Sequence, residues 1–152
     1  MKLAEALVER AAAQTRLSDL ARRMQTSARY QEGQEPLENS RELLAEYDRV
    51  ALELEQLIAR INAANIITEV EPGLSMTAAI ARRERLQRTL RMRQELADAG
   101  TGSGIDRQMR SELRSFAAVD VVALRKEADD LARELRTLDV AIQSVNWTTE
   151  IV

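Results

Sequence analysis

From Val121 to Val145 every third or fourth residue is apolar: Val121, Leu124, Ala128, Leu131, Leu135, Leu138, Ile142 and Val145. A stripe with that spacing stays on one side of a helix and makes the seam of one helix packed lengthwise on another. It leaves little choice of fold. The same rule runs through Leu43, Tyr47, Val50, Leu54, Leu57, Ile61 and Ala64. With 3% aromatic residues and 2 Pro, the chain has the makeup of long helices and coiled coils. We therefore expect a mainly all-α fold, with four long helices in an antiparallel helical bundle or coiled-coil arrangement. At 152 residues the chain is read as one domain, 1–152, with helices at about 2–29, 40–68, 76–99 and 121–146.

The breaks between helices are local chemistry. Gln31-Glu32-Gly33-Gln34-Glu35-Pro36 ends the first helix, because Gly takes a left-handed cap and Pro stops continuation. Asn39 with Glu42 three residues on has the form of a helix start. Val70-Glu71-Pro72-Gly73 is a turn, and Ser75 or Thr77 caps the third helix. Gly100-Thr101-Gly102-Ser103-Gly104 terminates that helix as a linker, with no strand before it or Lys after it to make a phosphate loop. Met109 to Phe116 alternates as a half-exposed strand does, which places a short β segment near 109–117. A short helix there is the alternative, since Leu113 and Phe116 are three apart. A strand would need a partner, and the candidate is the Ile66–Glu71 stretch or another copy. The long link before helix four leaves its direction relative to helix three open.

Several residues interrupt these stripes. Arg10 lies within the apolar face of helix one, so its head should snorkel to water or meet a carboxylate. Leu44, Ala51 and Ile58 widen the arc of helix two and suggest a central position with more than one neighbour. Asn62 and Asn65 read as capping and fraying, or as a polar contact that fixes register. Trp147 is expected to pack over a bundle end and anchor the tail, with an exposed recognition anchor as the alternative.

Charge alternates by segment. Residues 1–29 carry six bases against three acids and 40–69 the reverse, while 76–99 has six against three and 120–146 four against six. A basic helix beside an acidic one gains modest pairing energy, so the order favours sequential neighbours.

With Cys 0 and His 0, the chain lacks thiolate nucleophiles, the usual zinc ligands and the commonest general base. A ferritin-like di-metal bundle also needs histidine. No enzyme, catalytic residue, cofactor or metal is expected. No run of apolar residues reaches membrane-span length and no signal-peptide core follows Met1, so the expected location is the cytoplasm, with no membrane partner. One candidate site remains. Arg82, Arg85, Arg88 and Arg91, with Arg83 and Arg93 beside them, form a guanidinium cluster on helix three. It reads as a candidate anion-binding surface for phosphate or nucleic acid, or as cations awaiting carboxylates within the chain or across subunits.

Met1–Leu7, Gln31–Pro36, Ile61-Asn62 with Asn65, Thr77, Ser115–Val121 and Asn146–Glu150 together, in that order, resemble the septicolysin-like family of small, uncharacterised bacterial helical proteins. The resemblance spans the chain and implies a compact, mostly helical bacterial protein, without an activity or catalytic residues to carry over. The reading is a non-enzymatic scaffold or adaptor that forms a homo-oligomer through coiled-coil seams, with a further protein partner as an extension. Nucleic-acid or phosphate-ligand binding through the arginine-rich third helix is the alternative, and a membrane-active cytolysin-like protein the third.

Overall fold

The computed structural model describes residues 1–102 and 114–151. The fold is mainly all-α. Helices α1 (Leu3–Ser27), α2 (Ser40–Ile67), α3 (Met76–Thr101) and α4 (Val121–Thr148) are accompanied by a tiny two-stranded sheet, β1 (Glu69–Glu71) and β2 (Leu74–Ser75), that lies between α2 and α3 in the sequence. The β segment thus forms on one side of the expected pairing, in the stretch beginning at Ile66, and closes on itself through the two-residue Pro72-Gly73 turn. Gly73 there has φ +79°, a region open to glycine at little cost. Of the segment expected near 109–117, residues 109–113 lie outside the described residues and 114–117 carry no strand or helix.

Helix starts follow their caps. Asn39 Oδ1 accepts from the Arg41 and Glu42 amides at 3.0 and 3.4 Å, and its Nδ2 donates to the Glu42 carboxylate at 3.0 Å. The cap of α3 is Ser75, whose Oγ accepts from Ala78 N at 3.2 Å, and Asp120 Oδ1 accepts from Ala123 N at 2.9 Å to start α4. Each satisfies an amide that the first turn cannot. The end of α3 departs from expectation: the helix absorbs Gly100 and stops at Thr101, with Gly102 at φ +85°. The reason lies in packing. A Cβ on Gly100 would sit 2.7 Å from Val119 Cγ2 and 2.9 Å from Val121 Cγ2, so the glycine permits the chain before α4 to approach α3.

Two compact units divide the chain, Met1–Glu69 with the residues from Ser144 onward, and Val70–Gln143. In the first, α1 and α2 are antiparallel. Leu20, Leu43 and Val50 are buried together, with Ala13, Leu17, Met24 and Tyr47 packed on them. The register is visible at the flanks, where Arg16 pairs with Glu46 and Arg23 with Glu38, so the partner number falls as the α1 number rises. Arg23 grips Glu38 in two-pronged fashion, its Nε donating at 2.9 Å to one oxygen and its Nη2 to the other. Burial of each core side chain is worth about 1.5–3 kcal/mol, against roughly 0–1 kcal/mol for an exposed ion pair. Hydrocarbon therefore drives the contact and charge selects its register.

A clasp closes this unit. Leu3 N donates to Thr149 O and Ile151 N to Met1 O, both at 2.9 Å, around an antiparallel bridge between Lys2 and Glu150. Lys2 Nζ reaches the Glu150 carboxylate at 3.0 Å, and Ile151 is buried.

In the second unit, Arg83 faces Asp139 at 3.9 Å, Arg93 meets Glu127 at 2.8 Å and Arg125 meets Asp98 at 3.3 Å. Partner numbers again run in opposite senses, so α4 is antiparallel to α3. The α4 stripe from Val121 to Val145 is turned inward throughout, with Ala128, Leu138 and Ile142 buried.

Two outcomes follow for stability. Gly100→Ala should lower the melting temperature by a few degrees, since overpacking costs about 1–3 kcal/mol and exceeds the gain in helix propensity of about 1 kcal/mol. Val119→Ala in the same chain should recover part of the loss in a calorimetric scan. The second concerns pH. Hydrogen bonds from Arg16, Arg23 and Lys2, with the charge of each, hold Glu46, Glu38 and Glu150 below the usual carboxylate range. Stability from a depressed carboxylate is present above its unfolded pKa and is lost as pH falls through the folded one. Arg16→Gln with Arg23→Gln should therefore flatten the decline in urea midpoint between about pH 5 and pH 3.

Candidate functional site

The arginines of α3 divide by the turn of the helix. Arg83 and Arg93 lie on the buried side, in the stripe with Ala79, Leu86 and Ala97, and each draws a carboxylate from α4. Arg93 also donates to Thr89 O at 3.5 Å, whereas Arg83 Nε is buried with no hydrogen-bond partner among the described residues. Arg82, Arg85, Arg88 and Arg91 are all exposed. A step of three residues turns about 60° and rises about 4.5 Å, so these four wind over the outer half of the helix and do not line one edge. Arg88 is 3.6 Å from Glu84 one turn back. Among the described residues, Arg82, Arg85 and Arg91 form no ion pair, although arginines on every other helix find one. Arg82 borders an open groove of about 340 Å³ with Glu71, Asp130, Arg133 and Glu134, whose charges are mixed.

A second feature lies on α2 and was not foreseen. Leu43, Val50, Leu57 and Ala64 recur every seven residues and are buried. Two positions on, about 200° round the helix, Ala45, Leu52, Ala59 and Ile66 recur with the same period and are exposed, Leu52 at 54% and Ile66 at 68%. Ala63 is exposed beside them. The seven-residue interval was present in the sequence, but alanine at alternate steps gave it little weight as a stripe. The arc expected to carry a second neighbour is only partly covered: Ala51 and Ile58 are half-buried, and Leu44 is exposed.

Other expectations need correction. Trp147 does not pack over a helix end; it is 60% exposed, because it lies on the side of α4 opposite Leu138 and Ile142. Asn146, its neighbour, is buried instead, with Oδ1 lacking a hydrogen-bond partner among the described residues. Arg10 is half-buried and, among the described residues, forms no ion pair and has its buried Nε unsatisfied. Asn62 is exposed and Asn65 half-buried, and α2 ends within a turn of them, where Thr68 N bonds to Ala64 O.

Among the described residues no group of three or more acidic side chains is placed to hold a metal ion. No described helix is long and apolar enough to cross a membrane.

Residues 10–151 match the model of a family of unknown function, DUF6847. The chain belongs to that family. A solved structure from Corynebacterium diphtheriae, described as a functionally unknown conserved protein, is similar to this DUF6847 member with a TM-score of 0.94 and 40% identity, over 100% of this chain and 99% of that one. No curated protein matches the chain.

For this DUF6847 protein, the two sides of α4 should respond differently to truncation. Trp147→Ala should change unfolding free energy by no more than about 0.5 kcal/mol, as for other exposed side chains. Ile142→Ala, at a position 2% exposed, should lose about 2–5 kcal/mol by urea denaturation.

Proposed function

We propose that the protein is a non-enzymatic helical scaffold that self-associates through helix faces left over after its own helices have packed. The observation that carries this reading is the outward row on α2, Ala45, Leu52, Ala59 and Ile66, which repeats the period of the buried seam on the opposite side of the same helix. A helix with one apolar stripe needs one partner, and a helix with two has surface for a second. Small alanines between the larger Leu52 and Ile66 let another backbone come close. The absence of histidine and cysteine supports a structural role over a catalytic one, since it removes the commonest proton-transfer and thiol chemistry.

Light scattering across a wide concentration range tests this. The wild-type chain should form a discrete oligomer whose population rises with concentration. Leu52→Glu, at a position already 54% exposed, should shift the midpoint of assembly upward by at least about tenfold while leaving helix content unchanged, because it introduces a charge at the centre of the row. A strict monomer at every concentration would overturn the proposal.

A further inference from the structure

Three ionised side chains without ion-pair partners border one groove of the second unit. The groove has a volume of about 340 Å³ and lies among Glu71 of β1, Arg82 of α3, and Asp130, Arg133, Glu134 and Leu138 of α4. Asp130 and Arg133 neutralise each other at 3.2 Å within one turn of α4. Glu71, Arg82 and Glu134 form no ion pair among the described residues, although opposite charges share the same space. One guanidinium and two carboxylates therefore face the groove uncompensated.

Fixed neighbours set the walls. Arg83, the residue after Arg82, meets Asp139, the residue after Leu138, at 3.9 Å, which brings Arg82 and Leu138 to one level of the two helices. Leu138 is buried and gives the groove an apolar floor, and Glu134 stands one turn of α4 before it. On the third side Leu74 and Met76 are buried and seat the hairpin that carries Glu71.

We infer that this groove binds a free basic α-amino acid, a molecule with one carboxylate, two cationic nitrogens and an aliphatic stem. The Arg82 guanidinium donates paired N–H groups to the carboxylate. Glu71 and Glu134 accept from the two nitrogens, and the methylenes lie over Leu138. Ligand and groove then cancel charge for charge. A phosphate would meet three carboxylates beside the two arginines, and among the described residues no group of three acidic side chains is placed to hold a metal ion. The volume falls at the small end of ligand pockets, roughly 300–1,000 Å³, as a single amino acid requires. The inference stands apart from self-association, because no residue of the outward α2 row borders the groove.

Titration calorimetry on the full chain at low salt tests this with L-lysine, L-norleucine, which lacks the side-chain cation, and cadaverine, which lacks the carboxylate. L-Lysine should bind saturably below about 10 mM, and each analogue should bind at least about tenfold more weakly. Arg82→Gln should weaken L-lysine to the level of cadaverine, and Glu71→Gln with Glu134→Gln should weaken it to the level of L-norleucine. Arg91→Gln, which removes another exposed and unpaired arginine of α3 away from the groove, should leave L-lysine binding unchanged. Glu71, Arg82 and Glu134 are exposed, so circular dichroism should register no change of fold in any variant. No saturable binding of L-lysine up to about 10 mM would overturn the inference. Equal binding of L-lysine and cadaverine to the wild-type chain, or equal weakening by Arg91→Gln and Arg82→Gln, would overturn it in favour of unspecific charge attraction. The light-scattering result for the scaffold proposal is read separately, so either proposal can fail alone.

Discussion

Removal of a single hydrocarbon stripe from water, repeated on helix after helix, underlies every other feature of this molecule. In α2 the stripe is Leu43, Val50, Leu57 and Ala64, and in α4 it runs from Val121 to Val145. Each buried aliphatic side chain outweighs any surface ion pair several-fold, so helices form because they can be covered. Caps, charges and turns then choose where each helix begins and which way it runs. Arg16, Arg23, Arg93 and Arg125 do not hold the pairs together so much as fix their sliding position.

Polar atoms caught in the seams carry a cost. Arg83 Nε, Arg10 Nε and Asn146 Oδ1 are buried without partners among the described residues, and an unsatisfied polar group forfeits about 1–3 kcal/mol. Such residues disfavour alternative registers, because a slip of one turn would bury more of the guanidinium or strip Arg83 of Asp139. A seam made only of leucine would be tighter and less selective.

The inward face of each helix was legible in the sequence because burial there follows a strict period. The α2 and α4 stripes point inward residue for residue, and the starts at Ser40 and Val121 follow from Asn39 and Asp120. What escaped was chemistry that depends on contact between distant residues. Gly100 reads as a stop signal, yet it serves a close approach by Val119 and Val121, which no local pattern records. Trp147 reads as packing over a bundle end, although helical phase alone puts it opposite Leu138 and Ile142. For the arginine cluster, helical phase already sets Arg83 and Arg93 apart from Arg82, Arg85, Arg88 and Arg91, but the carboxylates that meet them, Asp139 and Glu127, come from a helix distant in sequence.

The clasp between Leu3 and Thr149 joins residues that lie on either side of α2, α3 and α4 in the sequence. On a ribosome, α1 and α2 can zip together early, but the partner that completes their open end is synthesised only after α3 and α4. Closing so long a loop adds only a slowly growing entropic toll, so the delay is one of timing more than of energy. A nascent chain therefore carries an unfinished edge at Met1 and Leu3 until residues 149–151 emerge, and that edge is where a chaperone or a neighbouring nascent copy would have its opportunity to engage.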